Sequence, residues 1–190
     1  MDVLGICGSA RKEGNTGILV KEILDATGAD CKFIWLSEAN INFCHGCFRC
    51  IFEGGKCWQQ DGMQNLYQDF LNAKAIVIGS PTYYEDVSGL VKNMMDRSMA
   101  INYLGIGKKS DMEYHGWKPL AGKSGAIAVT VAGAGAERAE ETLTKYMGHA
   151  EIDIAGSLAV AVGMGSVNDM PEIIQKAKAI GKKLGGKIKK

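Results

Sequence analysis

The sequence predicts an α/β fold in which a doubly wound, five-stranded parallel sheet carries helices on both faces. Five short apolar runs are each followed by a polar or glycine-bearing loop and then by a segment with helical periodicity. Because these runs are mostly continuous rather than alternating, they are typical of strands buried on both faces. Alternation of strands and helices favours right-handed crossovers between parallel strands. No repeat or linker divides the chain, so we expect residues 1–190 to form a single domain.

The first half of the chain supplies three of the strands. Residues 3–7 form the first, which a polar loop joins to a helix. The second strand, residues 31–36, leads into a cysteine-rich loop at 42–60, and the third is predicted at 75–78. Two amphipathic helices are indicated by i, i+3, i+4 spacing. Their apolar positions are Leu19, Val20, Ile23 and Leu24 in one, and Met63, Leu66, Tyr67, Phe70 and Leu71 in the other.

The second half supplies the remaining two strands, at residues 126–131 and within 152–162. Three further helices are predicted around Leu90, Val91, Met94 and Met95, around Ala139, Thr142, Leu143, Tyr146 and Met147, and around Ile173, Ile174, Ala177, Ile180 and Leu184. Between them lies a long irregular segment at 101–123. A loop of this length inside a compact domain is usually functional or part of an assembly surface.

Charge and hydropathy exclude several classes of partner. The 22 Lys and Arg residues nearly balance the 21 Asp and Glu residues, so no overall field favours nucleic acid or an anionic membrane. No apolar run approaches the roughly twenty residues that cross a bilayer, and the N-terminal segment lacks the features of a signal peptide. We therefore expect a cytoplasmic protein, in which six cysteines indicate metal or redox chemistry more than disulfides.

In such a sheet, ligands bind beyond the carboxyl ends of the strands, where strand order reverses. The loop after the first strand offers Ser9, Arg11, Asn15 and Thr16 at the start of a helix, whose free N–H groups and dipole favour an anion. A phosphate fits there. The alternative is a helix capped by Asn15 or Thr16, with Arg11 solvated.

Two more loops at the same edge suit a planar ligand. Pro81, Thr82, Tyr83 and Tyr84 form a stiff turn that can lie against a flat ring, although the tyrosines could instead pack on a neighbouring helix. The loop 132–136, which begins Ala132-Gly133, has no bulk, so it makes either a plain turn or a close approach to a ligand. Together the three loops describe a pocket for a phosphate tail and a planar head.

The densest chemical signal is the cysteine spacing C-x2-C-x2-C-x6-C, formed by Cys44, Cys47, Cys50 and Cys57. Thiols at every third residue can point toward one centre, and this spacing suits an iron–sulfur cubane in which each thiolate binds a different iron. Zinc fits less well, because its sites usually draw on two separate C-x2-C knuckles. A vestigial or redox-active cysteine group is the third alternative. Adjacent glycines at 54 and 55 can take the positive φ needed to turn Cys57 back.

These motifs resemble a known family. The chain resembles the flavodoxin-like NAD(P)H-dependent FMN reductase superfamily in several short motifs. These are Gly8-Ser9-x-Arg11, Gly14-Asn15-Thr16, Ser80-Pro81-Thr82-Tyr83, Lys92 and Asp96-Arg97. The cysteine pattern, between the second strand and the next helix, is similar to that of the iron–sulfur flavoproteins of anaerobic archaea and bacteria. The resemblance spans essentially the whole chain and implies a flavodoxin-like fold.

The resemblance also implies the cofactors and their sites. FMN would bind with its phosphate on Ser9, Arg11, Asn15 and Thr16, and its isoalloxazine against residues 81–84 and 132–135. A [4Fe–4S] cluster would bind Cys44, Cys47, Cys50 and Cys57. The remaining cysteines, Cys7 and Cys31, match no ligand position, so we expect them in the core. His45 is expected to hydrogen-bond near the cluster rather than to bind it, because four thiolates complete the set.

Three functions remain open at this point. The first is an FMN protein whose cluster exchanges single electrons with a ferredoxin-like carrier. The second is a cluster-free NAD(P)H-dependent FMN or quinone reductase, and the third is a ligand or metal sensor. No Ser/His/Asp arrangement or carboxylate pair indicates another catalytic site, since the cofactors supply the chemistry. We also expect a homodimer or homotetramer, whose interface uses Met94, Met95, Met99 and the segment 101–123.

Overall fold

The computed structural model describes residues 1–104 and 118–189. Within them the chain forms six strands. These are β1 (Val3–Cys7), β2 (Cys31–Trp35), β3 (Ala75–Tyr83), β4 (Asp86–Val87), β5 (Ser124–Val131) and β6 (Asp153–Ala161). All five predicted strands are therefore present. Most of the predicted segment 101–123 lies outside the described residues, and its first residues belong to a 3₁₀ turn, Ser98–Tyr103.

Five strands pair in parallel in the order β2-β1-β3-β5-β6, which confirms the predicted sheet. The strand order reverses between β1 and β3, so the loops that follow these two strands diverge and leave a crevice between them. The two-residue β4 pairs antiparallel with β3 through a turn at Tyr84 and Glu85. Sequence reasoning did not predict it, because both turn residues have positive φ without the glycine or asparagine that usually signals such a turn.

Six helices accompany the sheet in the described residues: α1 (Asn15–Thr27), α2 (Arg49–Phe52), α3 (Met63–Asn72), α4 (Gly89–Arg97), α5 (Ala136–His149) and α6 (Pro171–Ile188). The helices α1 and α6 cover one face of the sheet, and α3, α4 and α5 cover the other. Alternate residues of β3 supply the two cores, since Ile76 and Ile78 face one layer while Val77 faces the other. Because both faces of the strand are buried, its apolar residues form a continuous run in the sequence.

Close contact between α1 and α6 depends on two glycines. A Cβ added to Gly181 would lie 2.2 Å from the Ile23 carbonyl oxygen, and one added to Gly185 would lie 2.2 Å from that of Thr27. Because both obstacles are backbone atoms, a side chain at either position would force the helices apart. None of the helices in the described ranges combines the length and hydrophobicity required to cross a bilayer.

Two expectations about individual residues need correction. Met94 is a fully buried residue of α4, so it belongs to the core of the chain and not to an exposed interface, whereas Met99 is 48% exposed. Cys7 is fully buried as expected, and burial raises the pKa of its thiol to about 11. Cys31 is only partly buried, because β2 is an edge strand, and its sulfur contacts the carbonyl oxygens of Leu24 and Ala29.

Candidate functional site

A cleft of about 530 Å³ lies at the carboxyl ends of β1, β3, β5 and β6. It is the crevice expected where the strand order reverses. The loop after β1, the end of β3, the end of β5 and the loop after β6 form its walls. The residues that line it are Ser9, Arg11, Glu13, Gly14, Asn15, Thr16, Pro81, Thr82, Tyr83, Thr130, Val131, Ala132, Val162, Gly163, Gly165 and Ser166.

The loop after β1 is folded around Ser9. Its Oγ accepts a hydrogen bond of 3.1 Å from the Arg11 amide, and the Gly14 amide donates to the Arg11 carbonyl at 3.1 Å. Gly14 is the N-cap of α1, and no side chain of the described residues accepts a hydrogen bond there. The alternative of a helix capped by Asn15 or Thr16 is therefore not what the structure shows. The start of α1 therefore has no side-chain cap among the described residues, and its first N–H groups could bind an anion at this end of the cleft.

The side chains of Asn15 and Thr16 reach the cleft but bind other loops. The Asn15 amide group donates to the Gly165 carbonyl at 3.1 Å and accepts from the Val167 amide at 2.9 Å. Thr16 Oγ1 lies 2.6 Å from Thr130 Oγ1 in a buried hydroxyl pair. These contacts fix the loop after β6 and the end of β5 against α1. Near the start of α1, a phosphate would therefore contact backbone N–H groups more than these side chains.

The end of β3 presents a buried hydroxyl to the cleft. Thr82 Oγ1 is buried and has no hydrogen-bond partner within the described residues. Unpaired buried polar atoms are uncommon in folded proteins, and one in the wall of a cleft indicates a ligand that would satisfy it. Tyr84 is fully exposed, so it does not pack on a neighbouring helix, and Tyr83 is half exposed. Both are available to a flat ring, although only Tyr83 forms part of the cleft wall.

The loop after β5 contributes less than the sequence indicated. Ala132 lines the cleft, whereas Gly133 does not, and a Cβ at Gly133 would meet no atom within 4 Å. Sequence reasoning missed Thr130 and the loop 162–166, which both line the cleft. The loop 162–166 could have been predicted as a ligand-binding loop, because it contains Gly163 and Gly165 and follows a predicted strand. The sequence prediction placed ligand contacts only on the loops after three of the five strands.

The four cysteines of the C-x2-C-x2-C-x6-C pattern line a second cavity, of about 420 Å³. Cys44 and Cys47 are exposed, and Cys50 and Cys57 are partly buried. The backbone turns at Gly54 and Gly55, which have φ values of 62° and 84°, as the sequence predicted. His45 also lines this cavity, and its ring centroid lies 5.5 Å from that of Trp58. The short α2 carries Cys50 into the cavity wall.

The cysteines influence one another electrostatically. Burial raises the pKa of the Cys50 thiol, and the negative charges of Cys57, Cys44 and Cys47 raise it further. A bound cation that offsets these charges would therefore favour the thiolate form. Across residues 1–104 and 118–189, no three His, Cys, Asp or Glu side chains are arranged to hold a single metal ion. The thiols thus share a cavity without converging on one point.

Comparisons of sequence give a consistent result. A sequence model of the NADPH-dependent FMN reductase family matches residues 1–166. An iron-sulfur flavoprotein of Methanocaldococcus jannaschii is 43% identical over 101 residues, which are 52% of this chain and 52% of that protein. One from Archaeoglobus fulgidus is 28% identical over 193 residues, covering 97% of this chain and 79% of that protein. The chain therefore spans about half the length of the first relative and most of the second.

Solved structures with the same fold include a flavone reductase and a flavodoxin from the Archaea. The flavone reductase superposes with a TM-score of 0.73 at 19% identity, covering all of this chain and 63% of the other. The flavodoxin superposes with a TM-score of 0.61 at 15% identity and covers both chains completely. At such low identity the agreement shows the fold alone, which is flavodoxin-like.

Proposed function

Because the chain belongs to the NADPH-dependent FMN reductase family, we propose that it is a flavin-dependent oxidoreductase whose cleft binds FMN. The observation that carries this proposal is the pairing of an uncapped helix N-terminus with an unpaired buried hydroxyl in one cleft. The first suits a phosphate and the second suits a polar edge or hydroxyl of the same ligand. FMN supplies hydride and single-electron chemistry when bound, and the chain supplies binding and orientation.

The residues of the cleft divide between the two ends of the ligand. We assign the phosphate to the Arg11 guanidinium, the Ser9 hydroxyl and the first amides of α1, at Asn15 and Thr16. The isoalloxazine would lie against the cleft residues among those predicted, which are Pro81, Thr82, Tyr83 and Ala132. The direct test is to bind FMN and riboflavin to flavin-free protein and measure both affinities by fluorescence. Much tighter binding of FMN supports the assignment, and equal affinities would contradict it.

We further propose a [4Fe–4S] cluster on Cys44, Cys47, Cys50 and Cys57. The donor set fits such a cluster, because four thiols and a 420 Å³ cavity are present together. Thiolates of a cubane bind different irons, so they need not converge on one point as the ligands of a single zinc ion do. Similarity to proteins named iron-sulfur flavoproteins supports the same proposal. The cluster would exchange single electrons with a ferredoxin-like carrier.

A second candidate is a cluster-free reductase that takes electrons from NAD(P)H and passes them through FMN to a flavin or quinone. The observation that favours it is the match of the NADPH-dependent FMN reductase family model to residues 1–166. Iron and sulfide analysis separates the two candidates, because only the first requires both elements.

We also propose that the protein is a homodimer or homotetramer. Phe43, Phe48, Trp58 and Met99 are large apolar side chains that are about half exposed or more, and the first three belong to the cysteine-rich loop. Apolar side chains clustered at one surface are typical of an interaction site. Light scattering at micromolar concentration is expected to give at least twice the mass of one chain. A monomer under these conditions would contradict the proposal.

A further inference from the structure

The guanidinium of Arg97, at the end of α4, forms part of the wall of the cysteine-lined cavity. Arg97 is only 3% exposed, which is unusual for an arginine. Its Nη2 donates to Cys57 Sγ at 3.5 Å, and its Nη1 donates to the Asn42 carbonyl at 2.7 Å. A buried cation therefore contacts one of the four cysteines directly.

Asp61 holds this guanidinium in place. Its two carboxylate oxygens lie 2.6 Å and 3.0 Å from Nη1 and Nη2, and its side chain is 5% exposed. The same carboxylate accepts hydrogen bonds from the amides of Asn42 and Met63, each at 3.0 Å. Burial opposes ionisation, but the Arg97 contact and these amides outweigh it and hold the pKa of Asp61 below its usual range. The arrangement is a paired, well-satisfied buried carboxylate.

One hydrogen-bond donor of the Arg97 guanidinium has no partner in the described residues. Nη1 and Nη2 bind Asp61, Asn42 and Cys57, whereas Nε is buried without a partner among the described residues. Removing a charged pair from water is costly, and a pair of apolar side chains would fill the same space with less penalty. The unsatisfied donor therefore belongs to the cation that contacts a cysteine, which favours a role at the cavity over packing alone.

One face of α4 also holds the chain on both sides of the cysteines. Asn93, one turn before Arg97, donates to the carbonyls of Ile41 and Asn42 at 3.1 Å and 3.4 Å. Arg97 then binds Cys57 and Asp61 at the far end of the loop. Cys57 is thus fixed by the folded domain, whereas Cys44 and Cys47 are exposed.

We propose that Arg97 is a positioning residue for the cysteine-lined site: fixed by Asp61, it orients Cys57 and raises the reduction potential of the cluster. This inference rests on the proposed cluster. A hydrogen bond to a ligand sulfur stabilises the reduced cluster more than the oxidised one, because reduction adds negative charge; Arg97 donates such a bond to Cys57, while Asp61 offsets most of the guanidinium charge. Loss of Arg97 therefore lowers the potential.

The test is an anaerobic redox titration of the cluster, followed by electron paramagnetic resonance, on protein that contains FMN. Arg97→Gln alone leaves Asp61 buried and unpaired, so the double variant Asp61→Asn/Arg97→Gln removes both charges together. The control is Arg49→Gln, which removes an exposed cation from the cysteine-rich loop. Arg49 is exposed and lies over the Trp58 ring, and none of its hydrogen bonds in the described residues involves a sulfur.

We expect the reduced-to-oxidised ratio of the cluster in the double variant to fall about threefold at a fixed ambient potential, which is about 28 mV for one electron, because the variant removes the hydrogen bond to Cys57 and leaves the net charge unchanged. In Arg49→Gln, the reduction potential of the cluster should shift by less than half as much, because solvent and salt screen an exposed charge. If the double variant holds too little iron for a redox titration, the cluster potential of Arg97→Lys is measured instead. This variant keeps the charge but cannot reproduce the fork of hydrogen bonds, so its potential should fall by a smaller amount.

The role of Arg97 would be overturned if the double variant kept the wild-type iron content and an unshifted cluster potential. It would also be overturned if Arg97→Lys, used where the double variant cannot be titrated, had an unshifted potential. Either result would leave the proposed function intact. A wild-type protein that contains FMN but no iron would overturn the cluster proposal itself, and this inference with it.

Discussion

Ser88 Oγ donates a hydrogen bond of 2.8 Å to the carbonyl oxygen of Gly8, which joins the first turn of α4 to the loop after β1. At the other end of α4, Arg97 lies against Cys57. The nine helical residues between these contacts span about 13 Å. One short helix therefore connects the proposed FMN cleft with the cysteine-lined cavity inside a single chain, and the two sites are expected to keep a fixed separation.

Arg11 provides the first prediction. We expect Arg11→Ala to weaken FMN binding roughly ten- to a hundredfold, because a charge-assisted contact with phosphate contributes about 1.5–3 kcal/mol. Titration of flavin-free protein measures the change. Lys12→Ala is the matched control, since Lys12 is the adjacent exposed cation but is paired with Glu38. Equal affinities of the Arg11 variant and the wild type would remove Arg11 from the site.

A substitution at Thr82 is expected to change FMN affinity without lowering the stability of the flavin-free protein. The buried Oγ1 of Thr82 has no partner in the described residues, so Thr82→Val should leave the free energy of unfolding of the flavin-free protein unchanged or slightly increased. The same variant should bind FMN about 2- to 10-fold more weakly, as expected for one lost neutral hydrogen bond. Urea denaturation and flavin titration measure the two quantities. A variant that loses stability and keeps its FMN affinity would contradict the assignment.

Gly181 tests the contact between α1 and α6. Gly181→Ala places a Cβ 2.2 Å from the Ile23 carbonyl oxygen, so we expect the free energy of unfolding to fall by about 1–3 kcal/mol. Gly186→Ala, on the same helix, meets no atom within 4 Å and should raise it by up to about 1 kcal/mol, because alanine is the better helix former. Equal effects of the two substitutions in urea denaturation would show that the close approach is not required.

Cys50 tests the independence of the two sites. Cys50→Ala should lose most of the iron and the reaction with a one-electron carrier, since a lost thiolate opens one iron to solvent. FMN content should be unchanged, because the cleft is lined by other loops. Cys31→Ala is the control, as Cys31 lies outside the cysteine-lined cavity. Retention of wild-type iron by the Cys50 variant would exclude Cys50 as a ligand.

The strands and long helices were predictable because burial on two faces and amphipathic spacing leave local patterns in the sequence. The loop proposed to bind phosphate was recognisable for the same reason, since its residues are close in the chain. Contacts between distant residues leave no such pattern. Asn15 binds the backbone of Gly165 across 150 positions, and Arg97 meets Asp61 and Cys57 from 36 and 40 positions away. These contacts determine which side chains remain available to a ligand.

The most direct test is the elemental analysis of protein purified without exposure to oxygen. We predict about four iron and four acid-labile sulfide ions per chain, together with about one FMN. An absorption spectrum of the same sample should contain both flavin and cluster bands. Zinc in place of iron, or FMN without any metal, would contradict the cluster and leave the cluster-free reductase as the function of this chain.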